Sequence, residues 1–166
     1  VVPLELNTAQ RRVYSEIQRL SREGKPVRLI IVKARQQGIS TFSQSWLAHR
    51  AFTGKAQNCL TIAQSLDMAG ELFGKVEMMY SMLPRWAKPD KNSKTRGKRL
   101  SLDEPNHSLL YVESAENRDA GRSGTYQHVH ATEIPLWPDA KRTMEGLLQS
   151  VPYKAGTSII IESTAK

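Results

Sequence analysis

The sequence predicts an α/β domain built around a mostly parallel central sheet. Short apolar runs of strand length alternate with longer segments in which apolar residues recur at three- and four-residue steps, the period of a helix. The runs at 27–32 and 59–63 are almost continuously apolar, which is typical of strands covered on both faces in a parallel sheet. Strands that alternate with helices in this way indicate βαβ units.

The individual elements follow from the same periods. In the first helix Val13, Ile17 and Leu20 share one face, and Ser65 is placed to cap the third helix. The proline-bounded segment 84–98 and the segment 114–124 are predicted to be loops. We expect helices at 8–22, 39–52, 66–83 and 138–150, and strands at 27–32, 59–63, 99–103, 108–113, 126–132 and 158–162.

Length and composition indicate one globular domain. The 166 residues are 39% hydrophobic and 24% charged, and no apolar run approaches the ~18 residues that would cross a membrane. The amino terminus lacks the features of a signal peptide, and the single Cys59 excludes an internal disulfide, which fits a reducing cytoplasm. The chain stops directly after a strand expected to be central, so we expect it to be a fragment of a longer protein.

The formal net charge of +8 suggests a polyanionic partner, for which nucleic acid is the usual candidate. The excess is concentrated in a basic segment at 85–99, which holds a single acidic residue, Asp90. A solvated connection and a contact with the DNA backbone both explain this segment, and the sequence leaves the two open. Its basic residues are Arg85, Lys88, Lys91, Lys94, Arg96, Lys98 and Arg99.

The segment 33–41 stands between a strand and a helix, as a phosphate-binding loop does. The pattern G-x-x-x-x-G-K-[ST] fits at Gly38, Ser40 and Thr41, but Lys33 occupies the first glycine position and Ile39 the usual lysine position. Such loops direct backbone N–H groups at phosphates, and a hydroxyl in the first helical turn binds Mg²⁺. A basic turn entering a helix capped by Ser40 is the simpler alternative.

A cation is also needed beside the transferring phosphoryl group. Within the loop, Lys33 and Arg35 are the candidates. If Lys33 supplies the charge from the start of the loop, its displaced position is compatible with ATP binding.

Glu133 ends the predicted strand 126–132, where a carboxylate is able to orient or deprotonate an attacking water. The preceding residue, often an aspartate that holds Mg²⁺ through water, is Thr132, whose hydroxyl is a weaker ligand for a metal-bound water. On the same strand, His128 and His130 alternate onto one face. Together with Glu133 they are compatible with a transition-metal site, although packing beside the sheet explains them more simply.

Two further segments have a local and a functional interpretation. Asn7 and Gln10 form the pattern of a helix capping box, and the Gln10 amide is also suited to read an adenine edge. Ser163 and Thr164 follow the last apolar run, where their hydroxyls are expected near a γ-phosphate or in a simple polar turn.

The order of these four elements resembles the ATPase domain of the bacteriophage terminase large subunit, the motor that packages DNA into procapsids. That family carries a glutamine motif, a deviant Walker A loop, a Walker B strand and a Ser-Thr-Ala coupling motif in this order; the matching segments here are 6–10, 33–41, 130–137 and 162–165. Some terminases place the loop lysine at the start of the loop, as Lys33 is, and members tolerate a small polar residue at the place of Thr132. The resemblance covers nearly the whole chain and implies a P-loop NTPase fold of ASCE type, a three-layer sandwich.

The resemblance also implies roles for individual residues. Glu133 is the expected catalytic carboxylate, assisted by Arg35, and Mg²⁺ is expected at Ser40 or Thr41 and at Thr132. Ser163 and Thr164 are expected to couple hydrolysis to motion. The residues expected to contact ATP are Gln10, Lys33, Arg35, Gln36, Gln37, Gly38, Ile39, Ser40 and Thr41.

A ring motor of this family also implies an arginine finger and partners. Arg122, in the glycine-flanked segment 120–124, is the first candidate for the finger and Arg118 the second. The implied partners are double-stranded DNA, a portal protein, a terminase small subunit and further copies of the chain. The implied location is the cytoplasm of an infected host, and no membrane partner is expected. The acidic nuclease domain of terminases has no counterpart in 1–166. The alternatives are a helicase-like translocase, a DNA-binding module that no longer holds nucleotide, and the histidine metal site.

Overall fold

The computed structural model describes residues 4–92, 95, 97–122 and 124–165. Within them a six-stranded sheet has the order β1-β6-β5-β2-β4-β3. The strands are β1 Val27–Lys33, β2 Asn58–Ala63, β3 Arg99–Ser101, β4 Leu109–Ser114, β5 His128–Thr132 and β6 Ser158–Thr164. The helices are α1 Thr8–Arg22, α2 Ile39–Thr53, α3 Leu66–Met82 and α4 Ala140–Ser150, with 3-10 turns at Arg85–Ala87 and Ile134–Leu136.

The sheet is parallel except at one edge, where β3 runs antiparallel to β4. Strand β6 lies between β1 and β5, so the prediction that the last strand is central is confirmed. One strand therefore separates β1, which leads into the segment 33–41, from β5, which leads into Glu133. All three of these strands end at the same edge of the sheet.

Helices lie on both faces of the sheet, which confirms the predicted three layers. The prediction that the strand at 27–32 is covered on both faces is wrong, because β1 is an edge strand whose Ile30 and Val32 are 79% and 72% exposed. On one face α1, α2 and α3 pack through residues such as Ile17, Leu47 and Leu72. On the other face α4 and the segment before it pack through Leu147 and Trp137. Burial of these apolar surfaces, at roughly 25 cal/mol per Å², is the main force that holds the layers together.

All predicted boundaries agree with the structure to within two residues, and two of the differences have an identifiable reason. Helix α4 begins at Ala140, not at 138, because the Asp139 side chain accepts a hydrogen bond from the Arg142 backbone N and caps the helix. Strand β5 begins at His128 because the Tyr126 N–H donates to Ser150 O instead of joining the sheet. Strand β3 ends at Ser101, two residues early.

The basic segment 85–99 folds back on the end of α3. The ammonium groups of Lys88 and Lys91 lie 5.1 Å and 4.7 Å from the centre of the Tyr80 ring, in cation–π contact with it. Trp86 is 89% exposed on this segment. Lys94 and Arg96 lie outside the described residues. In the described part of the chain, no helix is long and apolar enough to cross a membrane.

Candidate functional site

The segment between β1 and α2 contains two residues with positive φ, Gln36 at 59° and Gly38 at 69°. Left-handed residues in a turn direct neighbouring backbone N–H groups toward one point, an arrangement that suits an anion. The loop ends at the amino terminus of α2, where the partial positive charge of the helix dipole adds to this preference.

Helix α1 is tied to this loop through its cap. Asn7 and Gln10 form the predicted capping box, with the Gln10 N–H donating to Asn7 Oδ1 at 2.9 Å and the Asn7 N–H donating to Gln10 Oε1 at 3.0 Å. Their amide groups also reach the loop, since Gln10 Nε2 donates to Gly38 O at 2.8 Å and Asn7 Nδ2 donates to Gln37 O at 3.1 Å. Gln10 is therefore more than a cap, because it positions the loop; its contact with adenine stays a prediction.

Lys33, the last residue of β1, places its ammonium group between two carboxylates. Its Nζ lies 3.6 Å from Glu133 Oε1 and 3.5 Å from Glu162 Oε2, and its side chain is only 10% exposed. Ile39, at the usual lysine position, has a buried side chain, so only its backbone is available to a ligand. The cation that contacts Glu133 and Glu162 thus comes from the start of the loop.

Glu133 is held by the end of β6. Its backbone is left-handed (φ 53°), and its carboxylate accepts hydrogen bonds from Thr164 Oγ1 at 2.7 Å, Thr164 N at 3.1 Å and Ser163 Oγ at 3.4 Å. Burial raises the pKa of Glu133, but the hydrogen bonds from Thr164 and the charge of Lys33 outweigh burial and hold that pKa below its usual value. In this conformation the Glu133 carboxylate is charged, and both of its oxygens accept hydrogen bonds from β6.

Ser163 and Thr164 are part of a strand, whereas the sequence placed them just after one. They are the last residues of β6 and pair in register with Val32 and Lys33 of β1. The predicted coupling residues thus connect the strand of the phosphate loop to Glu133 by direct backbone and side-chain contacts.

A cleft of about 530 Å³ lies at the carboxyl edge of the sheet, beside Glu133, Ser163 and Thr164. Its size lies within the range of pockets that hold small ligands. Ser40, Thr132 and Glu133 offer hard oxygen ligands to it, as Mg²⁺ requires. The cleft is lined by Arg35, Ser40, Gln64, Met68, Leu72, Lys75, Thr132, Glu133, Pro135, Leu136, Ser163, Thr164 and Ala165.

The structure distinguishes the two hydroxyls that begin α2. Ser40 lines the cleft, whereas Thr41 Oγ1 accepts a hydrogen bond of 3.4 Å from Lys75 Nζ of α3. Of the two alternatives, the geometry favours Ser40 as the residue near a metal.

The sequence reasoning missed two polar residues that line the cleft. Lys75 lies seven residues after Met68 and three after Leu72, so all three are on one side of α3 and line the cleft. This helical spacing indicates in the sequence that Lys75 shares a face with the two apolar residues. Gln64 directly follows β2, a parallel strand that runs beside β5. A polar residue at the carboxyl end of a parallel strand is a general indication of a ligand site.

Of the three arginines assigned to the site from the sequence, one lines the cleft and two lie elsewhere. Arg35 is exposed and lines the cleft. Arg122 forms no part of the cleft's described wall: it lies along α4, where its Nη2 donates to Arg142 O at 3.1 Å and its side chain fills the space beside Gly146. Arg118 is exposed in the loop before it. Neither arginine completes the site of its own chain, so a role as a finger is a proposal about a neighbouring copy.

The two histidines of β5 pack beneath α2. His128 Nδ1 contacts Ser158 Oγ at 2.8 Å and its Nε2 contacts Gln57 Oε1 at 2.9 Å. Burial, and secondarily Arg50, lowers the pKa of His128 to about 3, so the ring is neutral. Among the described residues, no group of three or more His, Cys, Asp or Glu is arranged to hold a metal. The packing interpretation is supported over the transition-metal site.

His130 belongs to a chain of buried polar groups that ends at Glu162. His130 Nε2 lies 3.1 Å from Glu162 Oε1, and its Nδ1 lies 2.9 Å from Gln44 Nε2. Burial raises the pKa of Glu162, but the hydrogen bond from His130, with the Ser40 hydroxyl and Lys33, outweighs burial and holds that pKa well below its usual value. A buried carboxylate therefore stays charged directly beneath the loop.

Solved structures with a similar fold include large terminases of bacteriophages and a helicase. The large terminase of bacteriophage HK97 superposes with a TM-score of 0.75 at 15% identity, covering 98% of this chain and 34% of that protein. The ATPase domain of the Thermus phage P74-26 large terminase gives 0.57 at 18% identity, covering 99% and 71%. The Mycobacterium smegmatis helicase Lhr, bound to single-stranded DNA and AMP-PNP, gives 0.50 at 15% identity, covering 92% and 22%.

These similarities confirm the predicted fold, that of the terminase ATPase domain. The chain spans about a third of the length of the HK97 protein. No protein-family model and no curated protein matches the sequence.

Gly38 provides a test of the connection between α1 and the loop. A Cβ at Gly38 would lie 2.7 Å from Gln10 Nε2, whereas a Cβ at Gly24, which has a similar φ of 67°, would contact nothing within 4 Å. Gly24→Ala should cost about 1–2 kcal/mol of unfolding free energy through backbone strain alone. Gly38→Ala should cost a further ~1–3 kcal/mol because it also displaces Gln10.

Urea denaturation of the two variants measures this difference. Equal decreases in stability would show that Gln10 does not constrain the loop. Adding Gln10→Ala to Gly38→Ala should cost less than the sum of the two single changes, since the steric conflict is then removed.

Proposed function

We propose that this chain is the ATP-binding and ATP-hydrolysing core of a viral DNA-packaging motor, a terminase large subunit. The observation that carries the proposal is the placement of Lys33 between Glu133 and Glu162, at the start of the loop and in contact with Glu133, which lines the cleft together with Ser40 and Thr132. A cation, a carboxylate at a strand end and a helix amino terminus are the groups that phosphoryl transfer requires. The terminase fold agrees with this chemistry.

In the proposed reaction, Glu133 orients and deprotonates the water that attacks the γ-phosphate. Lys33 and Arg35 stabilise the negative charge that develops on the phosphoryl oxygens. The backbone N–H groups of 34–38 and of the first turn of α2 hold the phosphates, and Gln10 keeps the loop in this shape through Gly38 O. Direct contacts of Gln36, Gln37, Ile39 and Thr41 with ATP are part of the same proposal.

Mg²⁺ is proposed to accompany the nucleotide. Lys33 is flanked by two carboxylates and so is not free to offset the charge of the phosphates by itself, while Arg35 and Lys75 supply the other positive charges of the described cleft wall. When bound, Mg²⁺ would offset charge on the phosphates. Ser40 and Thr132 are the hydroxyls placed to hold it or its waters.

Coupling to motion is proposed to run through Thr164. In the observed conformation Thr164 donates two hydrogen bonds to Glu133, which must be weakened before Glu133 is free to take a proton from water. Because Thr164 ends the strand beside β1, a change at the phosphate loop has a short path to whatever follows 164. The bistable element is thus the contact between Glu133 and the end of β6.

The proposed partners are double-stranded DNA, further copies of the chain in a ring, a portal protein and a terminase small subunit. Arg122, or Arg118, would then reach the cleft of a neighbouring copy. The basic segment 85–99 is the proposed DNA contact. A helicase-like translocase is the less favoured alternative, since the fold agrees with the helicase less closely than with the HK97 terminase.

Replacing Lys33 and Glu133 tests the proposed activity. Lys33→Ala should weaken Mg²⁺-dependent binding of a fluorescent ATP analogue by about 10- to 100-fold, the value of a charge-assisted hydrogen bond. Glu133→Gln should keep binding but lower ATP turnover by about 10²–10⁴-fold, because the amide takes no proton.

Lys25→Ala, which removes an exposed lysine, is the matched control and should change neither quantity. Lys33→Ala leaves the buried Glu162 without its cation, which could destabilise the fold. Circular dichroism is therefore needed to establish that this variant is folded. Equal nucleotide affinity of the wild type and a folded Lys33→Ala would contradict the role of Lys33. A wild type that binds DNA but no nucleotide would favour the non-hydrolysing DNA-binding module.

Thr164→Val tests the contact between Glu133 and β6. Removing the hydroxyl that donates to Glu133 Oε1 should raise the pKa of Glu133, because that bond stabilises the charged form. The acid limb of the turnover–pH profile should therefore move to higher pH. Titration of the Glu133 carboxyl by carbon NMR measures the same change without turnover. Ser163→Ala, which removes a longer bond, should shift the pKa less; a shift no larger in Thr164→Val would count against the proposed role of Thr164.

The salt dependence of DNA binding tests the basic segment. Replacing exposed Arg85 and Arg99 by Ala should reduce duplex affinity and lower the slope of log K against log salt by about one for each phosphate that is no longer neutralised. Arg22→Ala, at the end of α1, removes the same type of charge away from this segment and is the control. A slope that is unchanged in the double variant would exclude the segment as the DNA-binding surface.

A further inference from the structure

The strand that ends at Glu133 lacks a carboxylate at the place where a phosphate-loop site usually holds the water shell of its metal. Thr132 occupies that place and offers a neutral hydroxyl. In the sheet, Thr132 of β5 pairs in register with Glu162 of β6. Paired residues of neighbouring parallel strands present their side chains on the same face, about 5 Å apart. The missing carboxylate therefore has a counterpart one strand nearer to the loop.

Glu162 is placed and oriented for such a task. Its side chain is 0% exposed, and its Oε1 accepts the hydrogen bond from His130. Its Oε2 has no hydrogen-bond partner among the described residues and faces Lys33 Nζ at 3.5 Å. The Ser40 hydroxyl lies beside the same carboxylate. Apart from its ion pair with Lys33, this oxygen retains capacity to accept hydrogen bonds, which suits it to a ligand that brings donors, such as water.

A second layer of buried groups fixes the orientation of Glu162. Because a carboxylate only accepts, His130 Nε2 carries the proton and Nδ1 accepts from Gln44 Nε2. Gln44 Nε2 also donates to Thr61 Oγ1 at 2.9 Å. This chain from β2 through α2 and β5 holds one oxygen of Glu162 and leaves the other facing Lys33, as outer-shell partners hold the ligands of metal sites.

We propose that Glu162 takes over the role of the carboxylate that is absent at Thr132, positioning Ser40 and accepting hydrogen bonds from the waters of the nucleotide's Mg²⁺. This inference rests on the proposed ATP-binding function. Mg²⁺ loses water reluctantly and keeps several waters when bound with phosphates, so a carboxylate that acts through water and a hydroxyl suits it. Glu162 is thus a positioning residue, distinct from Glu133, which faces the reacting water.

The test is the ratio of ATP-analogue affinities measured with Mg²⁺ and with EDTA. Glu162→Gln keeps the shape and an acceptor for His130 but removes the charge. It should lower this ratio by about 10- to 100-fold, the usual effect of removing an outer-shell partner. Glu113→Gln is the matched control: Glu113 is also a buried carboxylate, its Oε2 accepts from the Gly121 N–H, and it lies on β4 away from the cleft. Its ratio should equal that of the wild type.

A relocation variant makes the test independent of any folding defect. Adding Thr132→Asp to Glu162→Gln returns a carboxylate to the paired strand and should restore most of the Mg²⁺ dependence. An equal decrease of affinity with Mg²⁺ and with EDTA in Glu162→Gln, or a folded double variant without recovered Mg²⁺ dependence, would overturn the proposal. A wild type that binds no nucleotide under either condition would refute the proposed function instead, so the two failures are distinguishable.

Discussion

Lys33 is held between Glu133 and Glu162, and the rest of the site depends on this arrangement of three charges. Glu162 is completely buried, and a buried carboxylate without a cation would cost several kcal/mol. Lys33 lies at the start of the loop, where it faces both carboxylates from the strand that carries the loop. The side chain of Ile39, at the usual lysine position, is buried in the core, so a lysine there would have to extend from a buried Cα.

The order of strands makes this arrangement possible. Because β6 lies between β1 and β5, Glu162 is flanked by Lys33 on one side and by the strand of Glu133 on the other. The same strand supplies Ser163 and Thr164 to the Glu133 carboxylate. The middle strand therefore contacts both Lys33 at the start of the loop and Glu133, the group proposed to activate water.

The phosphate loop is constrained from outside as well as by its own glycine. Gln10 and Asn7 of the α1 cap donate to two loop carbonyls, so the loop and the first helix are held as one unit. The loop is thus held by side chains of α1, whereas the carboxylate of Glu133 is held by the end of β6.

Local properties of the sequence determined the elements, whereas tertiary packing decided how the site is assembled. The bounds of α1 and the caps at Asn7 and Ser65 were predictable because capping and helical period depend on neighbours in the chain. The sequence patterns of a phosphate loop and of strand ends predicted roles for Lys33, Glu133 and Thr164, and the structure brings these three residues into contact.

Glu162 and Lys75 were not assigned to the site, and Gln10 was linked to adenine rather than to Gly38. Each of these roles depends on a contact between segments far apart in the chain: the lateral order of β1, β6 and β5, the rotation of α3, and the approach of α1 to the loop. Strand order is set by which apolar faces pack together, and the spacing of residues along one strand carries no information about its neighbour.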